Sequence, residues 1–222
     1  MGKLTFILSA LMTHSDKLGF LQAFWRMELL SKLPWLALAI GFLLEIPDDA
    51  VIWSGPKRAA FIKQFLSDVA WGELDYLIVD APPGASDEHI SVEQALCQHK
   101  PDGALSVTTP QAVSIGDVRR KLTFFKKTGL PLIGIIENKS VFVGLNCSEC
   151  TNVFSRQSGE ALSGQSVVPF LGCVPLDPQL MHRMEEGRDF NQAFPKSATF
   201  DAINKIVEKI VNNDSEFSGH DT

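Results

Sequence analysis

Three short apolar runs, each closed by a polar residue, alternate with segments whose apolar residues recur at helical spacing. The runs are Tyr76-Leu77-Ile78-Val79-Asp80, Ala104-Leu105-Ser106-Val107-Thr108-Thr109, and Leu132-Ile133-Gly134-Ile135-Ile136 followed by Glu137-Asn138. Runs this short and rich in β-branched residues read as strands buried on both faces, the environment of a parallel sheet covered by helices. Alternating strands and helices join through right-handed crossovers. The expected fold is α/β, a doubly wound, mostly parallel sheet with helices on both faces. Open sheets of this kind take their ligands at the carboxyl ends of the strands, which makes Asp80 and Asn138 site candidates.

Other elements follow from the same periodicity. Ile40–Leu44 reads as a further buried strand, ended at Pro47. Ala59, Phe61, Ile62, Phe65, Leu66 and Val69 mark a helix over Pro56–Ala70 with the proline near its first turn. A helix is expected over Glu88–Gln98. Ser114 is expected to cap the next one, whose stripe is Val118, Leu122 and Phe125 and which Gly129 ends. A helix near Gly159–Leu162 precedes a short apolar segment, Val168–Val174, and a turn at Pro175-Leu176-Asp177-Pro178. Phe200, Ile203, Ile206, Val207 and Ile210 share one face of the last helix, before a polar tail over 212–222. Cys97 and Cys173 lie among apolar neighbours and read as small core residues.

A net charge of -6 argues against electrostatic binding of nucleic acid. The apolar stretch Leu33–Ile46 contains Pro34 and is about 14 residues long, against the ~20 that a membrane span requires. Met1–Met12 imitates a signal peptide, but with a single lysine and no clear cleavage site. Cytoplasmic location and no membrane partner are expected. Four scattered cysteines do not make a disulfide framework, so the compartment reads as reducing. The close pair Cys147-x-x-Cys150 is available for metal or redox chemistry. Two such thiols can also be free at the surface, or half of a zinc knuckle completed by His. Asp80 by itself can be a nucleotide-site acid or a strand-end carboxylate capping the next turn.

The longer string Asp80-Ala81-Pro82-Pro83-Gly84-Ala85-Ser86-Asp87-Glu88-His89 resembles the acidic nucleotide-site motif of Mrp-type ATPases in the ParA/MinD superfamily of P-loop proteins. Further strings resemble its subgroup of cytosolic iron–sulfur cluster scaffolds, nucleotide-binding protein 2. They include Gly41-Phe42-Leu43-Leu44-Glu45, Ser67-Asp68-Val69-Ala70-Trp71-Gly72-Glu73, Thr108-Thr109-Pro110-Gln111-Ala112-Val113-Ser114, Gly134-Ile135-Ile136-Glu137-Asn138 and Val174-Pro175-Leu176-Asp177-Pro178. The resemblance runs from about Ile40 to Ala202, and the nucleotide-binding, iron–sulfur scaffold domain is expected over 40–211. It implies ATP-binding subunits that pair as a homodimer, or as a heterodimer with the related nucleotide-binding protein 1. Such a pair carries a bridging [4Fe-4S] cluster to cytosolic and nuclear apoproteins. It further implies that Asp80 acts through Mg²⁺, that Asn138 reads adenine, that Pro175 and Asp177 belong to the loop flanking the base, and that Cys147 and Cys150 are cluster ligands.

The match has two departures. Residues 1–39 form a divergent leader, and nothing in the chain matches the phosphate loop G-x-x-x-x-G-K-[ST]. The P-loop-like sheet is accordingly expected to be incomplete at its N-terminal part, and ATP hydrolysis to be weak or absent; a non-catalytic, dimerising or partner-competing form is the alternative. In the cysteine motif, the register set by Thr151–Arg156 places Gly144 and Leu145 where the family has its first cysteine and its proline. Cys147 takes the second cysteine position and Cys150 the further one.

Overall fold

The computed structural model describes residues 54–69, 76–81, 87–143, 150–151, 158–186 and 190–217. The leader, the Ile40–Leu44 run, the Pro82–Ser86 turn, Cys147 and the end of the polar tail lie outside them.

The first element among the described residues is helix α1 (Gly55–Ser67), entered through extended Ser54 with a proline in its first turn. Helix α2 (Asp87–Leu96) follows, and then a 3-10 turn over Cys97–His99. Strand β1 (Ala104–Thr108) is buried along its whole length, as a strand covered on both faces must be. Helix α3 (Ala112–Thr128) stops at Gly129, whose left-handed φ of 76° lets its N–H close on Phe125 O. Strand β2 (Leu132–Val143) is longest and lies between β1 and β4 (Phe170–Leu176), parallel to both. A short β3 (Cys150–Thr151) pairs antiparallel with the far end of β2. Helix α4 (Ser158–Ser166) connects β3 to β4, and α5 (Pro178–Glu185), α6 (Phe190–Ala193) and α7 (Ala198–Phe217) complete the chain.

Both faces of the sheet are covered. On one, Leu105, Val107, Ile136, Leu171 and Val174 meet Ile203, Ile206, Val207 and Ile210 of α7. Each of these α7 side chains is at least nine-tenths buried and contributes about 1.5–3 kcal/mol of transfer free energy. On the other face, Ala104 packs with Val92 and Leu96 of α2 and Phe125 of α3. Ile135 joins Val118, Leu122 and Leu162 there. The doubly wound α/β reading holds for this part of the chain.

Three irregularities break the strand period, the third between Asn138 and Phe142 of β2, which pair with Val174 and Leu176. Ala104 pairs with Leu132 but Leu105 with Gly134, so Ile133 is the extra residue on β2. Ile135 pairs with Phe170 but Ile136 with Gly172, so Leu171 is extra on β4. Lys209 Nζ of α7 donates to the Leu171 carbonyl at 2.7 Å, which satisfies an acceptor that the bulge displaces. A Cβ on Gly134 would stand 2.5 Å from Leu171 Cγ, so only glycine lets the two strands approach here.

Four expectations need correction. The Tyr76–Asp80 run is not a ladder strand: Tyr76 makes a single bridge, and residues 77–80 join no ladder among the described residues. Its apolar pattern does specify burial, since Ile78 packs on the α7 face and Val79 on the α2 face. Backbone pairing is a separate condition that requires a neighbouring strand. Ser114 is not the helix cap. Gln111 holds that position, while buried Ser114 sits within the first turn and shares a 2.6 Å hydrogen bond with Thr109 Oγ1. Strand β2 does not end at Asn138 but continues to Val143 through a left-handed residue, Lys139 (φ 56°). Cys97 and Cys173 are exposed rather than core, because the apolar residues flanking them in sequence point elsewhere.

Candidate functional site

Parallel register fixes what meets at the carboxyl edge. Thr108 pairs with Glu137 and Asn138 with Val174, so Asn138 stands beside the start of the Val174–Pro178 segment. Asn138 is buried, and its Oδ1 accepts the Lys139 N–H at 2.9 Å, which fixes the plane of the amide. Ser140 Oγ then donates to Val174 O at 3.3 Å and pins the bend after Asn138 onto β4. Structure therefore brings Asn138 and Pro175 together through adjacent strands.

Asp177 belongs to the same segment, but its carboxylate is already engaged. Oδ1 accepts the N–H groups of Gln179 (2.9 Å) and Leu180 (3.3 Å), the pattern of an N-cap on α5. Oδ2 accepts the hydroxyl of buried Thr199 at 2.7 Å, which ties the cap to the start of α7. Asp80 is exposed at the end of the Tyr76–Asp80 run. His89, at the end of the same motif, is buried in α2 with its ring edge-to-face on Phe124 at 6.2 Å. A buried amide beside a proline on the adjacent strand can receive a planar base.

Cys150 opens β3 opposite Val143. Its partner Val143 stands five residues beyond Asn138 on β2, past the left-handed Lys139. Cys147 lies outside the described residues. Among the described residues, no group of three or more His, Cys, Asp or Glu side chains could hold a metal ion, and no helix is long and apolar enough to cross a membrane.

Glu137 is a residue that the strand pattern undervalues. It looks like the polar stop of an apolar run, yet it is 2% exposed. Its Oε2 accepts the N–H of Gly159, second residue of α4, at 2.7 Å. Its Oε1 is 3.9 Å from Cys173 Sγ. Burial and then the Glu137 charge push the Cys173 thiol above its ordinary pKa, against a smaller opposing hydrogen bond from Ser140. The available signal was that Glu137 follows four apolar residues with no turn residue between, so the strand had no reason to stop.

Residues 31–211 match the family model of ParA-type, NUBPL iron-transfer P-loop NTPases. The chain belongs to this family. It is 65% identical over 175 residues to the cytosolic Fe-S cluster assembly factor NUBP2 of Gallus gallus and 61% identical to that of Homo sapiens. The matched part is 79% of this chain, and it spans 64% and 65% of those two relatives. Among solved structures, a nucleotide-binding protein of Archaeoglobus fulgidus in complex with ADP superposes with a TM-score of 0.61 at 29% identity, over 84% of this chain and 74% of that one. The septum site-determining protein MinD of Pyrococcus horikoshii matches with a TM-score of 0.57 at 18% identity, over 97% and 98%, which shows the shared fold.

Proposed function

We propose that this chain is a scaffold and carrier of [4Fe-4S] clusters for cytosolic and nuclear apoproteins. It works as a dimer, with itself or with the related nucleotide-binding protein 1. Family membership and the cytosolic assembly factors named above support this reading. The observation that carries it is the continuity of β2, which leads from the buried amide of Asn138 directly into the hairpin that Cys150 opens. Strand β2 leads from the nucleotide edge to the antiparallel pairing of Val143 with Cys150.

Cys147 and Cys150 give each chain half of the four thiolates that a [4Fe-4S] cluster requires, and twofold association supplies the rest. Asn138 orients the adenine, Pro175 walls it, and Asp177 holds that wall in place by capping α5. Asp80 would hold Mg²⁺, and with no phosphate-loop motif in the chain the nucleotide would act through binding rather than turnover. The relatives' assignment to the cytosol supports the same location here.

Transfer is the decisive property. Protein reconstituted anaerobically with iron and sulfide should restore activity to an apo-enzyme that requires a [4Fe-4S] cluster, at a rate above that of free iron and sulfide. A rate equal to free iron and sulfide, with or without Mg–ATP, would overturn the carrier reading.

A further inference from the structure

Strand β2 continues past Asn138 to Val143, and α4 begins at Ser158, after the cysteine-bearing part of the sequence. Within β2, the Ser140 hydroxyl donates to Val174 O. The start of α4 is pinned by Glu137, whose carboxylate accepts the Gly159 N–H at 2.7 Å. A carboxylate at the N-terminus of a helix meets unpaired N–H groups and the positive end of the helix dipole, so this is a charge-assisted contact. It is also shielded, because Glu137 is 2% exposed. Gly159 gives the carboxylate its room: an added Cβ would lie 3.0 Å from Glu137 Oε2, 3.2 Å from Glu137 Cβ and 3.3 Å from Phe170 Cε2.

One side chain thus joins β2 to α4. Glu137 is the immediate neighbour of Asn138 on β2, pairs with Thr108 of β1 and Cys173 of β4, and reaches across to the helix that follows the cysteine-bearing part of the sequence.

We propose that Glu137 is a positioning residue for the cysteine pair: it holds α4, the helix that follows the cysteine-bearing part of the sequence, against β2, the strand that pairs with Cys150 of β3. The inference rests on the cluster-carrier reading, and the experiment separates the two. Full-length wild type, Glu137→Ala, Glu137→Gln and Gly159→Ala are reconstituted with iron and sulfide. Cluster loss to a competing iron chelator is followed by visible absorption. In parallel, amide hydrogen exchange is read at Cys150–Thr151 and Gly159–Leu162 in the iron-free proteins.

Glu137→Ala should lose its cluster about tenfold faster, the scale set by removal of one charge-assisted hydrogen bond. Its exchange should rise at those amides and stay unchanged in β1 and α7. Glu137→Gln keeps an acceptor for the Gly159 N–H and should restore both properties to within about twofold. Gly159→Ala crowds the carboxylate without removing it and should resemble Glu137→Ala, which keeps the test open if the alanine variant does not fold. A wild type that takes up no iron overturns the carrier reading, and the exchange pattern then decides the clamp alone. Unchanged exchange in both Glu137→Ala and Gly159→Ala, or unchanged cluster loss in a loaded pair, would overturn the positioning role.

Discussion

Asp177→Ala separates a structural role from a ligand role at a residue that sequence resemblance assigns to the nucleotide loop. In the structure the carboxylate caps α5 through Gln179 and Leu180 and accepts the Thr199 hydroxyl. Loss of an N-cap costs about 0.5–2 kcal/mol. Thr199 is 2% exposed, so its hydroxyl would be left buried without an acceptor, which adds about 1–3 kcal/mol. Because the two contributions share one side chain they will not sum fully, and about 2–4 kcal/mol is expected. For a domain of this size that is a fall in Tm of about 4–16 °C. The assay is urea and thermal unfolding in the absence of nucleotide, on the single variant and on Asp177→Ala/Thr199→Val. The double variant should recover part of the loss, since it removes the stranded hydroxyl. A destabilisation of Asp177→Ala below about 0.5 kcal/mol would refute the capping account and return Asp177 to direct contact with ligand.

The packing and the titration set further outcomes. Gly134→Ala should destabilise by about 3 kcal/mol, near the upper end for overpacking, because its Cβ meets two atoms of Leu171 and the Pro169 carbonyl within 2.9 Å; Gly116→Ala, with nothing within 4 Å and helical backbone, should stabilise by about 0.5–1 kcal/mol in the same unfolding assay. Val167 is a β-branched residue at φ 56° with 91% of its surface exposed, so Val167→Gly should raise stability by about 1 kcal/mol with little packing lost. The Cys173 thiol is held above its ordinary pKa, so the stability it contributes is present below the ordinary thiol range and lost as pH rises through the raised value. Its alkylation by iodoacetamide, measured against pH, should lag behind that of a free thiol, and Glu137→Gln should shift the profile to lower pH by removing the neighbouring charge.

Much of the architecture was legible because buried parallel strands and amphipathic helices carry distinct periods. The α7 stripe from Ile203 to Ile210 and the Gly129 stop are both where the pattern places them. Pairing was less legible, because it depends on partners remote in sequence. The Tyr76–Asp80 run shows this: its side chains pack on two faces while residues 77–80 join no ladder among the described residues. The extension of β2 past Asn138 was hidden for a local reason, since a left-handed lysine in mid-strand has no sequence signature of the kind glycine gives. Of the candidate site, the neighbourhood of Asn138 and Pro175 follows from strand order. The roles of Asp177 and Glu137 do not, because a carboxylate that caps a helix is spelled the same way as one that binds a ligand.

The most direct measurement is the distribution of iron across oligomeric states. Anaerobically reconstituted protein is resolved by size-exclusion chromatography with light scattering, and iron is determined in each fraction for wild type, Cys147→Ala and Cys150→Ala. If the cluster bridges two chains through this pair, iron will travel with the dimer at half a cluster per chain, and either substitution will remove the iron and the cluster-dependent dimer together. Iron that elutes with monomer, or that survives both substitutions in the dimer, would contradict the account.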